Sequence, residues 1–147
     1  MSADWSWLEM ISRRELRRIP QLDKLIERKK EHLLFLEEKA TSIPSTLPDH
    51  ERVQTSPSGS GNRYIEAAID LSKEIAEIEK ELDALKDGAD EFICSLPRDT
   101  NKQHIAVRTL RYRYTDCLCW NEIADLVGYD TAYIQRIAKE ATMILPW

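Results

Sequence analysis

The chain has 147 residues, 42% apolar and 32% charged, with a formal charge of −5. That length suits one compact domain, or a helical scaffold with a small head, and the composition predicts a folded chain with a modest core and a large solvated surface. The charge argues against a nonspecific nucleic-acid coat protein, although it is unevenly distributed: residues 1–55 sum to 0, 56–97 to −6 and 98–147 to +1. Only four Gly and six Pro, among abundant Leu, Ile, Glu, Lys and Arg, favour long helices over strands.

The opening MSADWSWLEM lacks a basic stretch followed by an apolar run, and no segment approaches the roughly 18 apolar residues of a membrane span. The expectation is a cytoplasmic protein with no membrane partner, its three cysteines kept as thiols. Trp5, Trp7 and Trp147 are expected to anchor interfaces.

From Pro20 to Ala40 the pattern is helical. Pro20 fits a first-turn position, where its missing N–H costs nothing. Leu22, Ile26, Lys29, Leu33, Leu36 and Ala40 then repeat at spacings of four and three, a coiled-coil-like seam interrupted once by Lys29. The preceding WLEMISRREL reads either as a separate short helix or as a forward extension of the same one. Residues 41–62, TSIPSTLPDHERVQTSPSGSGN, have three prolines and no periodic apolar face, which predicts a long flexible loop.

Periodicity returns at Arg63. Tyr64, Ala68, Leu71, Ile75, Ile78, Leu82 and Leu85 keep a four-three alternation, with Glu and Lys between them. Neither helix can bury its stripe alone, so the two are expected to form a long antiparallel hairpin or to associate between chains. Continuation through Phe92 and Ile93, stopping before Pro97, is favoured over an end at Gly88. The expected domains are therefore 1–96, a helical hairpin that mediates oligomerisation, and 97–147, a head.

The head reads as three helices: Lys102–Tyr114, Cys119–Val127, and a third opened by Asp130. Glu122 lies three residues after Cys119, the spacing of a capping box with a weak thiol where Ser or Thr is usual. Gly128 can take the left-handed conformation that stops a helix, and Asp130 is expected to cap the next one. Ile134, Ile137, Ala138 and Ala141 form the inward stripe of the last helix, and small Ala124 and Ala138 permit close crossing. The same period sends Thr131, Ala132, Tyr133, Gln135, Arg136 and Lys139 outward. Gln can bond an adenine edge in two places and Arg a guanine edge, while Thr131 and Tyr133 suit phosphate or thymine-methyl contacts. The pattern is that of a helix-turn-helix that enters a DNA major groove.

The string LRYRYTDCLCWNEIADLVGYDTAYIQRIAKEA resembles the C-terminal head of phage ArpU/RinA-type transcriptional regulators, itself similar to region four of bacterial sigma factors. The match rests on Leu110, Arg111 and Tyr112, on Trp120, Glu122, Ile123 and Ala124, on Gly128 and Tyr129, and on Arg136. Cys119 departs from the hydroxyl expected there, and Thr131, Ala132 and Tyr133 are this chain's own. The resemblance implies sequence-specific control of phage late, lysis or packaging genes in a bacterial host cell. Double-stranded DNA is the expected partner, and host RNA polymerase a further candidate. A head at +1 offers few phosphate contacts, so the reading requires a homodimer that presents two recognition helices. Rival readings are a small terminase subunit for DNA packaging, an adaptor for RNA polymerase or a sigma factor, and a structural coiled-coil adaptor.

Other chemistry is thin. Cys117 and Cys119 form C-x-C without a second pair or a spaced His, and His32, His50 and His104 are scattered. There is no phosphate-binding Gly-rich loop and no nucleophile arranged beside a base. No enzyme activity, catalytic residue, metal, cofactor or small-molecule substrate is expected.

Overall fold

A computed structural model describes residues 10–41 and 60–147. Among them the secondary structure is helical throughout: α1 (Arg13–Thr41), α2 (Ser60–Ser95), α3 (Asn101–Tyr114), α4 (Trp120–Val127) and α5 (Thr131–Thr142). No helix is long and apolar enough to cross a membrane among these residues. The chain divides into two compact units, one taking in the residues up to Asp23 and Glu81–Trp147, the other Lys24–Lys80. That division cuts both long helices.

In the Lys24–Lys80 unit, α1 and α2 pack closely along one line. Ile26 and Leu36 are buried on α1, and Leu71 and Ile75 on α2. Lys29, which interrupts the apolar repeat of α1, is satisfied by Glu74, its Nζ lying 2.9 Å from Oε2. Lys30 pairs with Glu79 at 3.0 Å.

The other unit has a deeper core. Ile19, Ala89, Ile93, Leu110, Ile123 and Ile134 are all fully enclosed. Arg18 pairs with Glu81 at 2.6 Å. Two corrections to the sequence reading concern α1 and the loop after it. The helix begins at Arg13, so Pro20 stands in its interior, buried, and not in its first turn. Proline there leaves the Leu16 carbonyl without its helical donor, normally a cost of about 3 kcal/mol. Burial of Leu16, Ile19 and Leu22 on both sides of the ring and a firm start to the helix offset that cost. Ser12 and Glu15 form a reciprocal capping box: the Glu15 N–H donates to Ser12 Oγ, and the Ser12 N–H to Glu15 Oε1. The free N–H groups of Arg13 and Arg14 donate to the Pro146 and Trp147 carbonyls, at 2.8 and 3.3 Å. Arg13, Arg14 and Arg17 all place their guanidinium groups against the Trp147 ring. Trp147 is thus an intramolecular anchor, while Trp5 and Trp7 lie outside the described residues.

Helices occupy both ends of the expected loop 41–62. Thr41 closes α1, and α2 is helical from Ser60, three residues before the apolar repeat resumes. Residues 42–59 lie outside the described set. At its far end α2 runs through Gly88 to Ser95, as Phe92 and Ile93, both buried, led one to expect.

Candidate nucleic-acid interface

The three short helices are built by local signals that can be checked bond by bond. Thr100 opens α3 with a full capping box: the Gln103 N–H donates to Thr100 Oγ1 (3.2 Å), and Gln103 Oε1 accepts from the N–H groups of Thr100 and Asp99 (2.9 and 2.8 Å). Leu110 is fully buried beside Ile105, Ala106 and Val107. Next to it, Arg111 reaches back to Asp90 at 3.1 Å and to Cys94 Sγ at 3.4 Å, which ties α3 to α2. Tyr114 lies largely against other groups, and that burial pushes its phenol up from the ordinary value.

The connection to α4 is held tightly. The Leu118 N–H donates to the Tyr112 carbonyl (3.0 Å), and Arg113 donates to the Leu118 carbonyl (2.9 Å). The Arg113 guanidinium also covers the Trp120 ring, 4.7 Å from its centroid. Cys117 takes a left-handed backbone at φ 56°, and burial raises its thiol above the usual range. Cys94, Cys117 and Cys119 are free thiols. Among the described residues no group of three or more His, Cys, Asp or Glu side chains could share a metal ion.

At the start of α4, Glu122 supplies the dependable half of the cap by accepting the Cys119 N–H at 3.1 Å. That bond is the main cause holding its carboxyl below the usual carboxylate range. At the other end Gly128 sits at φ 85°, ψ 27°, and the Gly128 and Tyr129 N–H groups both donate to the Ala124 carbonyl (2.8 and 3.3 Å). A side chain at Gly128 would meet nothing within 4 Å, so the need for glycine is wholly conformational.

Asp130 departs from expectation. It stands at the N-cap of α5 with extended backbone, but its carboxylate makes no cap hydrogen bond. The α4–α5 junction is instead bridged by Thr131 Oγ1, which donates to Asn121 Oδ1 at 3.2 Å. The sequence reading did not single out Asn121. Ile134, Ile137, Ala138 and Thr142 are buried on the inner side of α5.

All six residues expected to face outward lie on α5, but they do not stand alike. Ala132, Gln135, Arg136 and Lys139 are exposed, while Thr131 and Tyr133 are half-buried. Tyr133 packs against the cluster of Ile105, Ala106 and Ile137. Its ring also lies 5.2 Å from that of Tyr129 and carries the Arg136 guanidinium 5.5 Å from its centroid. Thr131 and Tyr133 therefore serve packing as well as display. Tyr129, which entered the sequence reading only through the resemblance, is 41% exposed and lies beside Tyr133 at this edge. The Gly128–Tyr129 pair between two amphipathic helices was the signal for it. The exposed charges of α4, the turn and α5 are mixed: Arg136 and Lys139 are basic, and Glu122, Asp125 and Asp130 are acidic.

A second feature of this unit is an apolar groove of about 420 Å³ between α3 and α5, lined by Leu96, Ala106, Val107, Ile137 and Ile144 among others. Lys102 and Glu140, both of which also line it, pair at 3.0 Å.

Known family models, curated proteins and solved structures yield no match to this chain.

Proposed function

We propose that this chain is a sequence-specific, DNA-binding transcription regulator that acts as a homodimer, with α4, the Gly128–Asp130 turn and α5 forming its helix-turn-helix. The long helices are read as an antiparallel hairpin that carries oligomerisation. The resemblance of the head to the ArpU/RinA-type regulators supports a phage gene-control role. Gene control of that kind would take place in the cytoplasm of a bacterial host.

One observation carries the reading. α5 is gripped on its inner side by Ile134, Ile137 and Ala138, which leaves Gln135, Arg136 and Lys139 exposed along one edge. A helix held that firmly presents hydrogen-bonding side chains at fixed positions, as base-edge recognition requires. Arg136, steadied over Tyr133, is the residue for guanine or phosphate; Gln135 suits adenine. Ala132 leaves room for close approach to the bases, and Thr131, Tyr133 and Lys139 suit the flanking backbone. The mixed charge of α4, the turn and α5 means few phosphate contacts per head, each adding only about −0.9 to the salt slope. Two heads joined in a dimer make up that deficit through effective concentration.

The test is selection of bound duplexes from a random pool by the full chain, followed by salt titration on the enriched site. A two-fold-symmetric site with half-sites about one helical turn apart is expected. Recovery of unenriched sequence would remove the reading. The exposed Leu126 and Ile144 and the apolar groove favour one alternative, an adaptor for RNA polymerase or a sigma factor. That alternative predicts promoter binding only when polymerase is present.

A further inference from the structure

The α1–α2 pair in the Lys24–Lys80 unit has two unlike flanks. On one, Phe35 is 48% exposed, with the His32 ring stacked 6.4 Å away and the Lys39 ammonium 5.5 Å from its centroid. Asp70, Glu74 and Lys29 keep that flank polar. The other flank carries three large exposed aliphatic side chains, Leu34, Ile65 and Ile69. There α2 carries a second repeat, Ile65, Ile69, Ser72 and Ala76, at four-three-four spacing and offset from the stripe that faces α1. Along α1, Lys30, Leu34, Glu37 and Thr41 repeat at the same spacing. The Lys30–Glu79 ion pair joins the two edges at one end. At the other, Glu37 and Thr41 share a groove with Ile65, Ile69 and Ser72. Leu34, Ile65 and Ile69 are 60%, 46% and 50% exposed, which leaves aliphatic surface open to solvent.

We infer that this flank is where a second copy of the chain docks, α2 against α2 and antiparallel about a two-fold axis. The inference rests on the dimeric regulator reading and says which face makes the dimer. Two observations select this occupant and this direction. First, the repeat places its two large residues at one end and its two small ones at the other. An antiparallel pairing sets Ile65 against Ala76 of the second copy and Ile69 against Ser72 of the second copy, so that every layer joins one large and one small side chain. A parallel pairing in register would stack isoleucine on isoleucine and leave serine against serine. Second, the residues flanking the seam are self-complementary only in the antiparallel arrangement. Glu66 then meets Lys73 of the second copy, and symmetry repeats the pair. Leu34 of each copy closes the rim.

The experiment is sedimentation velocity of the full chain over a concentration series, with circular dichroism to confirm that each variant is folded. The unaltered chain is expected to sediment with twice the mass of one chain. Ile69→Glu should weaken association on the order of a hundredfold or more while helicity is kept. Glu66→Lys should weaken it about tenfold, by turning two attractive pairs repulsive, and adding Lys73→Glu should restore it. The restoration is the readout that a general loss of folding would not produce. A dimer unaffected by Ile69→Glu, or a charge reversal that the second substitution does not rescue, overturns the assignment. So does a chain that stays monomeric throughout. The DNA reading fails separately: an intact dimer that selects no sequence would sink it and leave the interface standing. Ile69→Glu chains that still prefer the same half-site would leave the DNA reading intact.

Discussion

The two compact units bury their apolar residues in different ways. Around α3, α4 and α5 a side chain meets neighbours from several directions, and Leu110, Ile123 and Ile134 are fully enclosed. In the Lys24–Lys80 unit two helices meet along a single line, so Leu36, Leu71 and Ile75 are covered while Leu34, Ile65 and Ile69 stay open. Two rods can hide only one stripe each. A third helix creates an interior and frees one edge of α5 for polar display. The first unit thus has an enclosed interior, with Leu126, Met143 and Ile144 still exposed on its surface; the second has a buried seam with Leu34, Ile65 and Ile69 exposed beside it.

Truncation should separate the two most widely. Leu110→Ala, in the enclosed core, is expected to cost about 2–5 kcal/mol, read as a shift in the urea midpoint. Ile65→Ala, measured on a chain kept monomeric by Ile69→Glu, should change stability by no more than about 0.5 kcal/mol. Equal losses at the two positions would erase the distinction between the units.

Gly128 tests how far the α4–α5 turn depends on its backbone. Its positive φ, with open space around it, predicts that Gly128→Ala costs about 1–2 kcal/mol. Caps come next. Thr100→Ala, which breaks a reciprocal box, should cost about 1 kcal/mol. Asp130→Ala should cost clearly less, because that carboxylate makes no cap bond. Thermal melts of the two variants rank them directly, and the reverse order would contradict the observed bonding.

The smallest effect concerns pH. The Glu122 carboxyl is held below its ordinary range by the Cys119 N–H, so its folded value lies under its unfolded one. Its contribution is therefore complete above the unfolded value and is lost as pH falls through the folded one. Glu122→Gln should flatten that acid-side slope in a series of urea midpoints at descending pH. A slope unchanged by the substitution would mean that the bond carries no linkage.

Much of this architecture was legible in the residue spacings. The four-three repeats on both long helices, the glycine stop at 128 and the inward stripe of Ile134, Ile137 and Ala138 all express helical period, which survives into three dimensions. Pro20 was misread because a proline's local preference is for a helix start, and tertiary burial overrode it. The extension back to Arg13 was marked by the Ser12–Glu15 spacing, a capping signal as plain as any in the chain. The acceptors that complete that helix start, Pro146 and Trp147, come from the far end of the sequence and leave no local trace. Asp130 shows the opposite limit: residue type and position both suited a cap, yet Thr131 and Asn121 made the junction. The exposed flank of α2 was also written in the sequence. Its spacing could be seen, but only the packing reveals which of two repeats faces α1.

The most direct test of the proposed recognition edge is equilibrium binding of Gln135→Ala and Arg136→Ala chains to the selected site and to unrelated duplex. Each variant should lose about 1–3 kcal/mol on the selected site and show altered preference at one base position, with binding to unrelated duplex nearly unchanged. Uniform weakening on both duplexes, or no change on either, would contradict a base-reading role for α5.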